Sequence, residues 1–92
     1  MVKIKDKLNL NLKNKKVFIS GSTRGIGYET ARLFLEEGAL VIINGRTKYS
    51  VDNALSKLNN KNASGIITDF LDDSEVEKLI DQIPDDIDIL IN

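Results

Sequence analysis

Three glycines in one short segment constrain the fold of this chain most strongly. Residues 20–27 follow the apolar, β-rich run 17–19 and precede a stretch of helical periodicity that closes near Gly38. Glycines at a strand-to-helix turn permit a tight bend and a close approach to backbone N–H groups, and a helix N-terminus attracts anions. The segment therefore predicts a phosphate-binding loop between a first strand and a first helix. A glycine-rich turn without a ligand is the alternative.

The rest of the sequence continues the alternation of strand and helix. The later predicted elements are a strand over 40–43 ending in an Asn44-Gly45 turn, a helix capped by Ser50 and ending at Leu58, a strand over 66–68, a helix opened by a Ser74/Glu77 capping box, and a strand over 87–91. This order predicts the α/β class: a partial Rossmann fold, βαβαβαβ, with a four-stranded parallel sheet of strand order 3-2-1-4 and helices on both faces. Helical periodicity places Ile26 and Ile80 on the apolar faces of their helices.

Length and composition limit the organisation and the partners of the chain. Ninety-two residues allow one domain, and we expect residues 1–92 to be a truncated dinucleotide-binding domain with a loosely ordered N-terminal extension over 1–12. Thirteen basic and fourteen acidic side chains give a net charge of −1, which argues against nucleic-acid or membrane partners. The N-terminus lacks the apolar run of a signal peptide, so we expect a cytoplasmic location.

The absence of two residue types narrows the possible chemistry. Cysteine is missing, which excludes disulfides, thiolate nucleophiles and zinc–thiolate sites. Histidine is missing too, and with it the commonest general base near neutral pH. The paired carboxylates Asp72-Asp73 and Asp85-Asp86 fall beside helix ends and in a turn, where we interpret them as solvated caps, so no metal site is predicted.

The spacing Gly-x-x-x-Gly-Ile-Gly in the loop resembles that of short-chain dehydrogenases/reductases, whereas other Rossmann proteins carry Gly-x-Gly-x-x-Gly. The similarity extends from about Leu10 to Asn92, nearly the whole chain. The resemblance implies an oxidoreductase that transfers hydride between NADPH and a carbonyl or alcohol substrate. It also implies that the loop binds the dinucleotide through seven residues, which are Gly21, Ser22, Thr23, Arg24, Gly25, Ile26 and Gly27.

The end of the second strand bears on the choice of cofactor. NAD-preferring members of the family carry an acidic residue at the position of Gly45, and here Arg46 follows that glycine. Guanidinium groups at Arg46 and Arg24 can form charge-assisted hydrogen bonds to a ribose 2′-phosphate. The resemblance therefore implies NADP(H) in preference to NAD(H). A solvated turn residue is the alternative for Arg46.

Three more residues match positions of the family. Asp69 and Phe70 resemble its adenine contacts, Asp69 by hydrogen bonding and Phe70 beside the ring. An Asx turn or an early helix cap is the alternative for Asp69. Asn92 resembles the first asparagine of the family's Asn-Asn-Ala-Gly segment, which mainly braces the sheet. We therefore expect Asn92 to support the cofactor pocket.

The family's acid–base pair, Tyr-x-x-x-Lys, and its substrate-orienting Ser have no match in these 92 residues. Arg32 stands four residues after Tyr28, and Asn53 stands four residues after Tyr49, so neither tyrosine forms the pair. We therefore predict no catalytic residue and no dehydrogenase activity for this polypeptide, with a small-molecule substrate only for a full-length form. The chain is interpreted as a fragment or a shortened reading frame.

Two further functions remain open from the sequence. One is a non-catalytic nucleotide-binding or interaction module built on the same half-fold, and the other is a structural domain without dinucleotide affinity. A parallel sheet that ends at its fourth strand also exposes an apolar edge. We therefore expect self-association, or a partner, to cover that edge.

Overall fold

The computed structural model describes residues 11–69 and 71–92. Strands and helices alternate strictly within this range. The strands are β1 (Lys16–Ile19), β2 (Leu40–Gly45), β3 (Ala63–Ile67) and β4 (Ile89–Ile91), and the helices are α1 (Gly25–Glu36), α2 (Lys48–Leu58) and α3 (Asp73–Gln82). The predicted order of elements is confirmed.

The four strands form one parallel sheet in the order β3-β2-β1-β4. In the central strand, Val17 is aligned with Val41 of β2 on one side and with Ile89 of β4 on the other. Parallel neighbours need crossover connections, and each helix supplies one. The sheet confirms the predicted partial Rossmann fold and its strand order.

Alternate residues of the strands face opposite sides of the sheet and build two separate cores. On one side, α1 and α2 cover a core whose buried members are Leu12, Val17, Ile19, Ala31, Leu35, Ala39, Val41, Ile43, Val51 and Ala54. On the other side, α3 contributes Leu79 to a smaller core with Phe18 and Ile66. Helices therefore cover both faces, as predicted, and the carboxyl ends of all four strands meet at one edge of the sheet.

Several predicted boundaries are wrong by a few residues. The strand predicted to end before an Asn44-Gly45 turn continues through both residues, which pair with Ile66 and Ile67 of β3. Helix α2 begins at Lys48 and is capped by the Thr47 hydroxyl instead of Ser50. The turn and cap signals are local, whereas pairing with β3 decides where β2 ends.

The sequence suggests two caps for the start of α3, and the structure confirms Asp72 and not the Ser74/Glu77 capping box. The Asp72 carboxylate accepts a hydrogen bond from the Ser74 backbone N–H at 2.9 Å, so Asp72 replaces the predicted Ser74/Glu77 capping box. Asp72 and Ser74 both suit a helix start, and the sequence does not rank them.

Two apolar residues expected on core-facing sides are instead exposed. Ile26 is 88% exposed at the start of α1, and Ile80 is 67% exposed on α3. Each lies at the margin of its apolar stripe, where a rotation of the helix by part of a turn decides burial.

The predicted N-terminal extension spans the boundary of the described range. Residues 1–10 lie outside the residues that the structure describes. Leu12, inside the predicted extension, is buried in the core below α1 and α2. None of the helices in the described ranges is long and apolar enough to cross a membrane.

Candidate functional site

The glycine loop bends sharply between β1 and α1. Gly21 and Gly25 have φ angles of +54° and +65°, in the left-handed region that favours glycine. Gly27 serves a different purpose, because a Cβ atom there would lie 2.6 Å from the Gly21 carbonyl oxygen and 3.0 Å from Ser22 Cα. The loop therefore folds back onto the first turn of α1, and the three glycines permit the tight bend that their spacing predicts.

A buried polar pair fixes this loop to the sheet. The Ser22 hydroxyl donates to the Ile19 carbonyl at 2.7 Å and accepts from the Asn44 backbone N–H at 2.8 Å. The Asn44 side chain accepts from the Gly21 N–H at 3.1 Å and donates to the Ile66 carbonyl at 3.2 Å. Both side chains are buried, so the Ser22 hydroxyl braces the turn.

Asn44 is the site residue that the sequence analysis missed. Its sequence context predicts a turn, yet the Asn44 side chain joins the loop, β2 and β3. The available signal was a polar residue continuing an uninterrupted apolar strand, which in a buried position needs hydrogen-bond partners. The sequence does not identify those partners, because they lie more than 20 residues away along the chain.

The N-terminus of α1 is open, unlike those of the other two helices. Arg24 is its N-cap residue, with extended φ and ψ angles, and its side chain makes no capping hydrogen bond. Thr47 and Asp72, in contrast, cap α2 and α3 with their side chains. The first turn of α1 also contains no acidic residue. Its free N–H groups and positive dipole end therefore suit an anionic group held over the glycine loop.

The end of β2 lies beside the glycine loop. Gly45 is buried, and a Cβ atom there would overlap the Thr23 methyl carbon Cγ2 and lie 3.0 Å from both Ser50 Oγ and Val51 Cγ2. Thr23 of the loop thus packs directly over this glycine. The next residue, Arg46, points its guanidinium into solvent with 70% of the side chain exposed.

Asp69 follows β3 at the same edge of the sheet. Its Oδ1 accepts the Leu71 N–H at 3.0 Å, forming the Asx turn that was the alternative for this residue. The same oxygen lies 3.9 Å from Arg46 Nε, a loose and largely exposed ion pair. Phe70, predicted beside the adenine, lies outside the described residues.

Asn92 follows β4 and contacts the start of the loop. Its Oδ1 accepts a hydrogen bond from the Ser20 hydroxyl at 3.0 Å, and the Ser20 N–H donates to the Ile91 carbonyl at 3.0 Å. Asn92 therefore ties β4 to the beginning of the glycine loop.

The predicted site residues within the described range thus gather at the carboxyl edge of the sheet. In open α/β sheets, ligands bind at this edge. Arg24 and Ile26 are both exposed there. The prediction that Ile26 faces the core is wrong. Its apolar side chain is exposed to solvent at the open start of α1.

The carboxylates whose pKa values are shifted lie outside the glycine loop. A hydrogen bond from Ser74 lowers the pKa of Asp72, and a hydrogen bond from Lys16 lowers the pKa of Asp86. Both groups are solvent-exposed, which fits caps and surface pairs. Over residues 11–69 and 71–92, no three Asp or Glu side chains cluster in a way that could hold a metal ion.

Comparison with known proteins gives consistent matches. A family model described as short chain dehydrogenase matches residues 15–92. The chain is 41% identical over 88 residues to the uncharacterized oxidoreductase YvrD of Bacillus subtilis (strain 168), and the match covers 92% of this chain and 34% of that protein.

Solved structures show the same relationship. A protein described as a short chain dehydrogenase/reductase family protein matches with a TM-score of 0.81 at 36% identity, covering 90% of this chain and 34% of the other. A short-chain dehydrogenase/reductase of unknown function from Caenorhabditis elegans, solved with cofactor, matches with a TM-score of 0.72 at 29% identity. This match covers 88% of this chain and 33% of the other. This chain spans about a third of the length of these relatives. The chain belongs to the short-chain dehydrogenase/reductase family, whose members are oxidoreductases that use nicotinamide dinucleotides.

Proposed function

We propose that this chain is the NADP(H)-binding portion of a short-chain dehydrogenase/reductase. In a full-length form, the enzyme would transfer hydride between NADPH and a carbonyl or alcohol substrate. The observation that carries the proposal is the open N-terminus of α1 above a glycine cradle, since no side chain of the described loop caps it. A dinucleotide pyrophosphate complements the positive dipole end of α1 in charge, and Gly27 lets the loop close against the first turn of that helix.

The proposed preference for NADP(H) rests on two arginines and one glycine. Gly45 offers no carboxylate to a ribose 2′-hydroxyl, and none to repel a 2′-phosphate. Arg46 follows at the end of β2, and Arg24 lies at the start of α1, both exposed. A 2′-phosphate held between them would receive charge-assisted hydrogen bonds.

Asp69 is proposed to act on the same ligand. Its Oδ1 is used by the Leu71 N–H and lies near Arg46 Nε, which leaves the second carboxylate oxygen for an adenine amino group. Ser22 and Asn92 would support the pocket through the loop contacts described above.

The 92-residue polypeptide is proposed to bind cofactor without reducing or oxidising substrate. The bound dinucleotide supplies the hydride, but the reaction also requires a proton donor positioned at the substrate oxygen. Tyr28 and Tyr49 are the tyrosines of the chain, and neither has a lysine four residues later.

The test is a titration of the 92-residue chain with NADPH and with NADH, followed by cofactor fluorescence. We expect tighter binding of NADPH, and Arg46→Ala should weaken it about tenfold or more, because a hydrogen bond to a charged group is lost. Arg32→Ala is the matched control, since Arg32 pairs with Glu29 and Glu36 along α1.

The outcomes separate the candidate functions. A preference for NADPH that only Arg46→Ala reduces supports the proposal. Equal or tighter NADH binding would refute the NADP(H) preference. A folded chain that binds neither dinucleotide would favour a module without cofactor affinity.

We also propose that the isolated chain self-associates at the β4 side of the sheet. Leu90 is 64% exposed and is aligned with the buried Phe18, so it lies on the α3 face of the sheet where no described helix covers it. Burying such an apolar residue between two copies is favourable. Sedimentation velocity should show a concentration-dependent dimer that Leu90→Lys reduces and Leu33→Lys, on α1, does not. A monomer at all concentrations would contradict the proposal.

A further inference from the structure

The position of Gly45 is enclosed on three sides. A Cβ atom there would overlap Thr23 Cγ2, and Ser50 Oγ and Val51 Cγ2 would each lie 3.0 Å away. The backbone at Gly45 does not require glycine, because its φ angle is not in the left-handed region. The absence of a side chain at this position is therefore a matter of space, and the Thr23 methyl carbon is the atom nearest to the Cβ position.

Thr23 is poorly able to move away. Its neighbour Ser22 is locked by hydrogen bonds to the Ile19 carbonyl and to both backbone groups of Asn44. This fixes the Thr23 backbone against the end of β2. The side chain is β-branched, so few χ1 rotamers are available to it.

We propose that the Thr23 methyl group is a specificity-determining group, which excludes a side chain at position 45 and so keeps an acidic residue away from the cofactor ribose. The inference rests on the proposed NADP(H) function. Thr23 and Gly45 together, and not position 45 alone, determine which cofactor is preferred. A carboxylate that hydrogen-bonds a ribose 2′-hydroxyl fits at position 45 without overlap only when the Thr23 methyl group is removed as well.

The chain offers a conservative way to test this pair. Thr23→Ser deletes the methyl carbon that overlaps and keeps the hydroxyl, whereas Thr23→Val keeps a methyl group and deletes the hydroxyl. At position 45, Ala adds the Cβ atom alone, and Asp adds the carboxylate. Gly65→Ala is the control for overpacking without Thr23, because a Cβ atom at Gly65 overlaps Cγ1 of Val51, a residue that also borders position 45, and does not approach Thr23.

The first arm measures thermal unfolding without cofactor. We expect Gly45→Ala to lower Tm by about 4–8 °C or more, as an overpacked position of a domain this size should. The Thr23→Ser background should remove at least half of that loss, whereas the Thr23→Val background should remove none. Gly65→Ala should lower Tm by the same amount whether residue 23 is unchanged or carries Thr23→Ser. The proposal would be overturned if Thr23→Ser did not reduce the fall in Tm that Gly45→Ala causes. It would also be overturned if Thr23→Ser reduced the fall in Tm caused by Gly65→Ala to the same extent.

The second arm measures the ratio of NADH to NADPH dissociation constants. Gly45→Asp combined with Thr23→Ser should shift the ratio toward NADH by about tenfold, through a new carboxylate–hydroxyl hydrogen bond and repulsion of the 2′-phosphate. Gly45→Asp alone should shift it less, because the carboxylate is displaced or the site distorts. An equal shift in the single variant would overturn the proposal. If the unmodified chain binds neither dinucleotide, the proposed function fails, and the unfolding arm still decides the packing claim.

Discussion

Asn44→Ala removes the side chain that links the glycine loop to β2 and β3. Two hydrogen bonds are lost, one from the Gly21 N–H and one to the Ile66 carbonyl. Each contributes about 0.5–1.5 kcal/mol net, so the free energy of unfolding should fall by about 1–3 kcal/mol. In a domain of this size, that corresponds to a fall in Tm of at least about 4 °C.

The backbone hydrogen bonds between Asn44 and Ser22 do not depend on the Asn44 side chain. The loss should therefore be concentrated at Gly21, whose amide proton should exchange faster with solvent while the β1 amides stay protected. Thermal unfolding and hydrogen exchange by NMR measure the two effects. Asn44→Asp should destabilise the fold further, because the carboxylate cannot donate to Ile66 and its charge is buried.

Asn53→Ala provides the matched control, since Asn53 is exposed on α2. Alanine is the better helix former, so this variant should leave Tm unchanged or raise it slightly. An Asn44→Ala variant as stable as Asn53→Ala, or one with unchanged Gly21 exchange, would refute the bracing role of Asn44.

Two further predictions concern the loop and the cap of α3. Gly27→Ala should lower Tm although alanine favours helices, because its Cβ atom would lie 2.6 Å from the Gly21 carbonyl oxygen; a rise in Tm would contradict the proposed close approach. The pKa of Asp72 is lower in the folded protein than in the unfolded chain, so the ionised Asp72 carboxylate stabilises the fold. This contribution is fully present above the pKa that Asp72 has in the unfolded chain, and it is lost as pH falls through the pKa that Asp72 has in the fold. Asp72→Asn keeps a capping side chain without titrating, so the Tm difference between the two proteins should shrink on acidification, and a constant difference would argue against the cap.

Much of the fold could be predicted because its signals are local. The change of period between residues 17–19 and α1 identifies a strand followed by a helix, and Gly38, with a φ angle of +86°, closes α1 as expected. The apolar spacing of Val51 and Ala54 on α2 correctly predicts their burial. Such patterns depend on neighbours within about one or two helical turns, which the sequence displays directly.

The errors arise where distant residues compete for the same position. Ile80 fits the apolar stripe of α3, but only Leu79 of that helix is fully buried, because the sheet contacts a narrower part of the stripe than periodicity suggests. Thr47 and Ser50 both have capping hydroxyls, and the end of β2 decides that Thr47 takes that role.

The sequence by itself determined the order of elements, the glycine loop and the arginine after β2, since each is set by residue type and short spacing. The tertiary structure decided what those residues contact. Asn44 became a brace instead of a turn because Gly21 and Ile66, more than 20 residues away on either side, present backbone groups to its side chain. Thr23 came to cover Gly45 for the same reason: the carboxyl ends of parallel strands converge in space, and no linear pattern records which side chain fills the room between them.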